Sequence, residues 1–131
     1  MALWQHVLSH YPESTTAHYN LGQGFLALGD SARAERSFRS VLEVDERHAY
    51  ALNELGTILS SRGYTREVER LFRSSVESDP DYFPARYNLA ITLERRNGFE
   101  AARPHYEAFV RLAPDQLWQM VGAVQARLEA R

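Results

Sequence analysis

The stretch Asn20–Val41, NLGQGFLALGDSARAERSFRSV, decides the fold because it returns twice. It reappears as ELGTILSSRGYTREVERLFRSS over Glu54–Ser75 and as NLAITLERRNGFEAARPHYEAF over Asn88–Phe109, each time after a stride of 34 residues. At that stride Leu21, Leu55 and Leu89 coincide, Gly22, Gly56 and Ala90 are all small, and Trp4, Phe38, Phe72 and Tyr106 are all aromatic. Pro12, Pro80 and Pro114 share a fourth place, with Glu46 as the exception. A fixed period of this length signals stacked supersecondary units.

Working outward, three full periods occupy 15–48, 49–82 and 83–116. They are preceded by a half repeat or N-terminal cap helix over 1–14 and followed by a capping helix over 117–131, all in one domain. Inside a period the apolar residues keep helical spacing: Ala17, Leu21, Phe25 and Leu28 form one stripe, and Ala34, Phe38, Val41 and Leu42 a second. Gly29-Asp30, Gly63-Tyr64 and Asn97-Gly98 break each period in its middle, and Asp79-Pro80 and Ala113-Pro114 break it at its end. Asp30 is placed to cap the following helix. No segment alternates with the period of two that a half-buried strand requires. The spacing predicts an all-α chain with two antiparallel helices per repeat.

These residues resemble the tetratricopeptide repeat, over nearly the whole chain. The family's small places, aromatic place and closing proline are occupied by Gly22, Ala34 and Phe38, by Gly56, Phe72 and Pro80, and by Ala90, Ala102, Tyr106 and Pro114. Its usual Trp is missing, with His18, Leu52 and Arg86 in its stead. The resemblance implies a right-handed superhelix of antiparallel helix pairs, an α-solenoid of about three full repeats plus the two end segments. Close helix pairing asks for small residues where axes approach, so Gly22/Ala34, Gly56/Val68 and Ala90/Ala102 are expected to face each other, with the rings at 38, 72 and 106 between repeats. Trp4 and Trp118 are expected to be buried within the monomer. Ser75, where neighbouring repeats have Val41 and Phe109, reads as a small packing defect. Pro104 falls inside a helix and removes a backbone bond unless that helix starts late.

Composition narrows the function. The chain has 131 residues, 44% apolar and 24% charged, with no Cys and a formal charge of -2. A disulfide framework and thiolate metal sites are thereby excluded, and there is no global attraction for nucleic acid or an anionic membrane. No apolar run is long enough to span a bilayer, and the first residues lack the pattern of a secretion signal, so a soluble cytoplasmic protein is expected. Gly22-Gln-Gly24 lies inside a helix, and no phosphate-binding glycine loop occurs. All fifteen basic residues are Arg, which removes lysine-dependent covalent chemistry. His6 and His10 stand four apart and could chelate, but no third ligand is near them in the sequence; His18, His48 and His105 fall at unrelated repeat places. No catalytic residue, metal or cofactor is expected, and the chain is not read as an enzyme.

What remains is surface. The resemblance implies that the first helix of each repeat lines a concave groove that receives an extended peptide. The groove would then show Thr16, Tyr19, Asn20 and Gln23, then Tyr50, Asn53, Thr57 and Ser60, then Tyr87, Asn88, Ile91 and Arg95. Amide side chains pair with both groups of a peptide unit, and Tyr gives contact area at low entropy cost. Asn20 and Asn88 share one place and Glu54 interrupts it, with local backbone bonding as the alternative role for the two amides. A carboxylate clamp of the kind some members use is not expected, because the matching places hold Tyr19, Gln23, Glu54, Pro84 and Asn88, none of them cationic. On the outer side Arg36 and Arg70 share one place and Arg39 and Arg73 another, with Arg33 and Arg66 nearby. Such a stripe can bind phosphates, but the interspersed Glu35, Glu43, Glu67 and Glu69 favour a solvated face of ion pairs. The expected partner is another protein or peptide; self-assembly through the end helices is the alternative, and neither membrane nor nucleic acid is an expected partner.

Overall fold

The computed structural model of the chain describes residues 1–130. Eight α-helices follow one another: α1 (Ala2–His10), α2 (Thr15–Ala27), α3 (Ser31–Val44), α4 (Ala49–Ser60), α5 (Arg66–Ser78), α6 (Phe83–Asn97), α7 (Phe99–Leu112) and α8 (Trp118–Glu129), with a 3-10 turn at Asp115–Leu117. No strand occurs among the described residues. Four helices begin on a side chain that accepts from the third amide onward, filling a donor that the first turn leaves open. Ser14 accepts from Ala17 N–H at 3.1 Å, Asp30 from Arg33 N–H at 3.0 Å, His48 Nδ1 from Ala51 N–H at 3.2 Å, and Thr65 from Val68 N–H at 3.2 Å. Asp30 thus caps as expected. Between α6 and α7 a single residue turns the chain, Gly98 at φ 92°, a conformation that a Cβ would strain.

α2 packs on α3, α4 on α5 and α6 on α7, and the pairs stack in order. This is a superhelix of antiparallel helix pairs. First helices α4 and α6 touch directly, whereas α3, α5 and α7 have no comparable contact with one another, so the curve is tighter on the first-helix side. A spine of Phe38, Phe72 and Tyr106 runs through the stack at 0%, 2% and 1% exposure, with Val41, Leu55, Leu89 and Phe109 filling in around it. A Cβ at Gly22 would stand 2.7 Å from the Phe38 ring and one at Gly56 2.7 Å from the Phe72 ring. Each of these two glycines thus makes room for the aromatic ring of its own repeat.

Three expectations are corrected. Leu28 is exposed at the end of α2, outside the stripe it was assigned to. Ser75 is no defect: it is fully buried and its hydroxyl donates to Ala49 O at 2.7 Å, tying α5 to the first turn of α4. As expected, Pro104 lies within α7, and the bond its nitrogen would give to the Glu100 carbonyl is lost. Trp118 is 69% exposed, while Trp4 is half-buried.

The two ends bury few side chains completely: α1 none and α8 only Val124. α8 lays Met120, Val121 and Leu128 against the core beside Val124 and is tied down further by charge. Arg127 hydrogen-bonds Glu94 of α6 and, at 3.3 Å, the hydroxyl of Tyr106, which itself donates to Glu94 at 2.7 Å. Its guanidinium also lies 5.3 Å from the ring centroids of Phe99 and Tyr106, within cation–π range. Burial, then the bond to Glu94, pushes the Tyr106 hydroxyl up to about 12, so it remains a donor.

Candidate functional site

Several of the residues expected in the groove meet in two groups on the first helices. In the first the rings of Tyr19 and Tyr50 lie 6.3 Å apart, and His48 bridges them at 5.4 and 5.9 Å. Tyr82 meets Tyr50 edge-on at 4.7 Å. Tyr50 is 45% exposed, the most open of these rings, and Glu54 follows it by one helical turn on the same face of α4. Burial raises the Glu54 carboxyl above its ordinary range. Burial and then the Glu54 charge push the Tyr82 hydroxyl up to about 12. Burial also raises the Tyr19 hydroxyl, which accepts from Gln23 Nε2 at 2.7 Å.

Beside the rings an amide cluster joins two repeats. Asn53 is buried, and its Oδ1 accepts from Asn88 Nδ2 at 3.0 Å; the same nitrogen reaches Thr57 Oγ1 at 3.5 Å. Thr57 also donates to the Asn53 carbonyl at 2.9 Å. With its donors so committed, Asn88 keeps its Oδ1 as an acceptor. Asn20, at the equivalent place one end earlier, donates to its own helix at Thr16 O, 2.8 Å. The two amides thus behave differently: Asn20 follows the local alternative, Asn88 spans repeats. Thr16 is exposed, and Ser60 donates to Thr57 O.

Further along, Tyr87 and Ile91 share with Arg95, Glu94, Tyr106 and Arg127 a depression of about 460 Å³. Arg95 lays its guanidinium 4.9 Å over the Tyr64 ring. A larger depression of about 650 Å³, lined by Val7, His10, Tyr11 and Pro12 among others, lies at the α1–α2 elbow. Its lining, which also includes Glu13 and Ser14, comes from the short stretch between Val7 and Ser14, whereas the rings and amides above come from successive repeats, so the face of the first helices is the better candidate. The His6 and His10 rings approach to 4.8 Å, and no group of three possible metal ligands occurs among the described residues.

Sequence reasoning passed over His48 and Tyr82. The signal was available, since the two stand 34 apart at the end of successive periods and both carry rings. They belong to the links between repeats, which were read only for breaks.

On the opposite face the arginines form a repeating ion-pair unit. Glu35 takes Arg39 at 3.1 Å and Arg62 at 3.0 Å; 34 residues on, Glu69 takes Arg73 and Arg96, both at 3.0 Å. Burial alone would raise both carboxyls, but the arginine hydrogen bonds outweigh it and hold them below the ordinary value. In the third repeat the equivalent place is Arg103, which pairs with Glu100 at 3.0 Å. Of the expected stripe, Arg39 and Arg73 belong to this ladder between repeats and Arg33 pairs with Asp30, whereas Arg36, Arg66 and Arg70 make no ion pair among the described residues.

Comparison with known proteins agrees with the geometry. The tetratricopeptide-repeat family matches residues 19–82 and again 66–116. Human tetratricopeptide repeat protein 8 is 25% identical over 101 residues, covering 74% of this chain and 19% of its own length. Mouse aspartyl/asparaginyl beta-hydroxylase is 29% identical over 100 residues, covering 74% of this chain and 14% of its own length. The chain thus spans a fifth or less of these relatives. The fold is shared with the crystal structure of MamA (TM-score 0.75, 19% identity, 95% of this chain and 75% of that one). It is also shared with the type III secretion translocator chaperone SycD of Yersinia enterocolitica, solved as an alternative dimer (TM-score 0.74, 15% identity, 89% and 90%). No helix among the described residues is long and apolar enough to cross a membrane.

Proposed function

The chain belongs to the tetratricopeptide-repeat family, and from that premise we propose that it is a non-catalytic protein-interaction module whose concave face takes an extended peptide or partner segment. The observation that supports this most is the coexistence, on one face, of accessible Tyr rings and an inter-repeat amide cluster. Tyr19, Tyr50 and Tyr87 supply contact area with little rotamer entropy to lose. Asn88, steadied by Asn53 and Thr57, offers an oriented amide oxygen to a peptide N–H. Ile91 and Arg95 would extend the contact toward α8, and Thr16, Asn20 and Gln23 toward α2.

The test is selection of binders from a displayed random peptide library on the immobilised chain. Tyr50→Ala and Asn88→Ala should each weaken the selected peptides about tenfold or more, with unchanged far-ultraviolet circular dichroism. Binding unaffected by both substitutions would defeat this reading. One observation favours a second reading, assembly through the end helices: Trp118 and Leu3 are exposed at 69% and 64%. Sedimentation equilibrium decides it. A dimer that Trp118→Ala dissociates supports assembly, and a monomer removes it.

A further inference from the structure

Among the carboxylates that are partly buried, Glu54 stands apart. Glu35, Glu69 and Glu94 are each satisfied by arginine. Glu54 has no ion pair and no side-chain hydrogen bond among the described residues, although the chain carries fifteen arginines. Its surroundings supply no counter-charge either. Tyr19 and Tyr82 remain protonated phenols at neutral pH, because burial and the Glu54 charge itself act against their ionisation. His48 spends its Nδ1 on the α4 cap bond and turns that nitrogen toward Ala51 N–H. A carboxylate drawn partly out of water without a cation is unfavourable for the free protein. The same arrangement has a clear chemical complement: electron-rich ring faces beside one negative charge attract a cation.

We propose that Glu54 and the open face of Tyr50, backed by the rings of Tyr19, His48 and Tyr82, form a subsite for one arginine or lysine side chain of the bound peptide. This rests on the groove reading above and narrows it to partners with a basic residue at a fixed place. The planar guanidinium suits the subsite better than ammonium, since it can stack on Tyr50 while donating two N–H bonds to the carboxylate. The rings already touch one another, Tyr50 and Tyr82 at 4.7 Å. The cation would therefore lie on the exposed side of Tyr50 and not between rings.

The experiment uses the same displayed library and the full chain. Selected peptides should share a basic residue, and replacing it by citrulline, which keeps the shape of arginine and removes its charge, should weaken binding about tenfold. On the Glu54→Gln protein the arginine and citrulline peptides should bind alike. Selected peptides that depend on Tyr87 and Asn88 but carry no common basic residue overturn the subsite and leave the groove reading intact. Equal binding of the arginine and citrulline forms by the unaltered chain does the same. Peptides indifferent to Tyr50→Ala and Asn88→Ala, or a library that yields no binder, overturn both.

Discussion

Glu35 and Glu69 on the convex face each hold two arginines, whereas Glu54 on the concave face holds none. The convex carboxylates are repeated at the stride of the fold and link one helix pair to the next. The concave one is unrepeated, since the equivalent places are Asn20 and Asn88. The difference separates two uses of the same side chain. A charge that stabilises the stack recurs with the stack, and a charge left without a partner inside it points to a partner from outside.

Both faces depend on the ring spine, so the harshest test of the comparison is to remove a ring. Phe72→Ala should cost roughly 3–5 kcal/mol in denaturant unfolding, because a side chain 2% exposed is replaced by a cavity that Gly56 and its helix cannot fill. A loss below about 1 kcal/mol would mean the repeats are held by their surfaces.

The next test takes one rung from the ladder. Glu69→Gln should cost about 1 kcal/mol at neutral pH, the modest value of a partly exposed pair in a network. Because its folded value lies below 4.5, the contribution is present above the ordinary carboxylate range and is lost as pH falls through the folded value. The variant and the unaltered chain should therefore converge in acid, as followed by thermal unfolding across pH.

Glu54→Gln should act in the opposite sense and more weakly, stabilising the chain by roughly 0.5 kcal/mol at neutral pH. Its folded value is raised, so ionisation penalises the folded state above that value, and the penalty is relieved as pH falls toward 4.5. The gain of the variant should vanish in acid. Two carboxylates of one protein would then show opposed pH profiles, and parallel profiles would erase the contrast between the faces.

Much of this was legible in the residues. The stride of 34 announced paired helices, and Gly29, Gly63 and Gly98 marked their turns, all three with positive φ in the structure. Three of the four aromatic places, Phe38, Phe72 and Tyr106, proved to be core, while Trp4 is half-buried. The site was less legible. Asn20 and Asn88 look equivalent along the chain, yet one bonds its own helix and the other a neighbouring repeat, because only Asn88 has a buried Asn53 opposite it. Ser75 looked like a gap until a carbonyl 26 residues away was placed against its hydroxyl.

Periodicity by itself determined the helices, their pairing and the spine, since burying an apolar stripe at a fixed repeat has few solutions. Tertiary structure alone decided which polar groups found partners. It placed Arg62 and Arg96 on Glu35 and Glu69, locked Arg127 between Glu94 and Tyr106, and left Glu54 among rings. Hydrogen bonds and ion pairs act over a few ångströms with directional geometry, so they depend on distances between repeats that no order of residues along one repeat specifies.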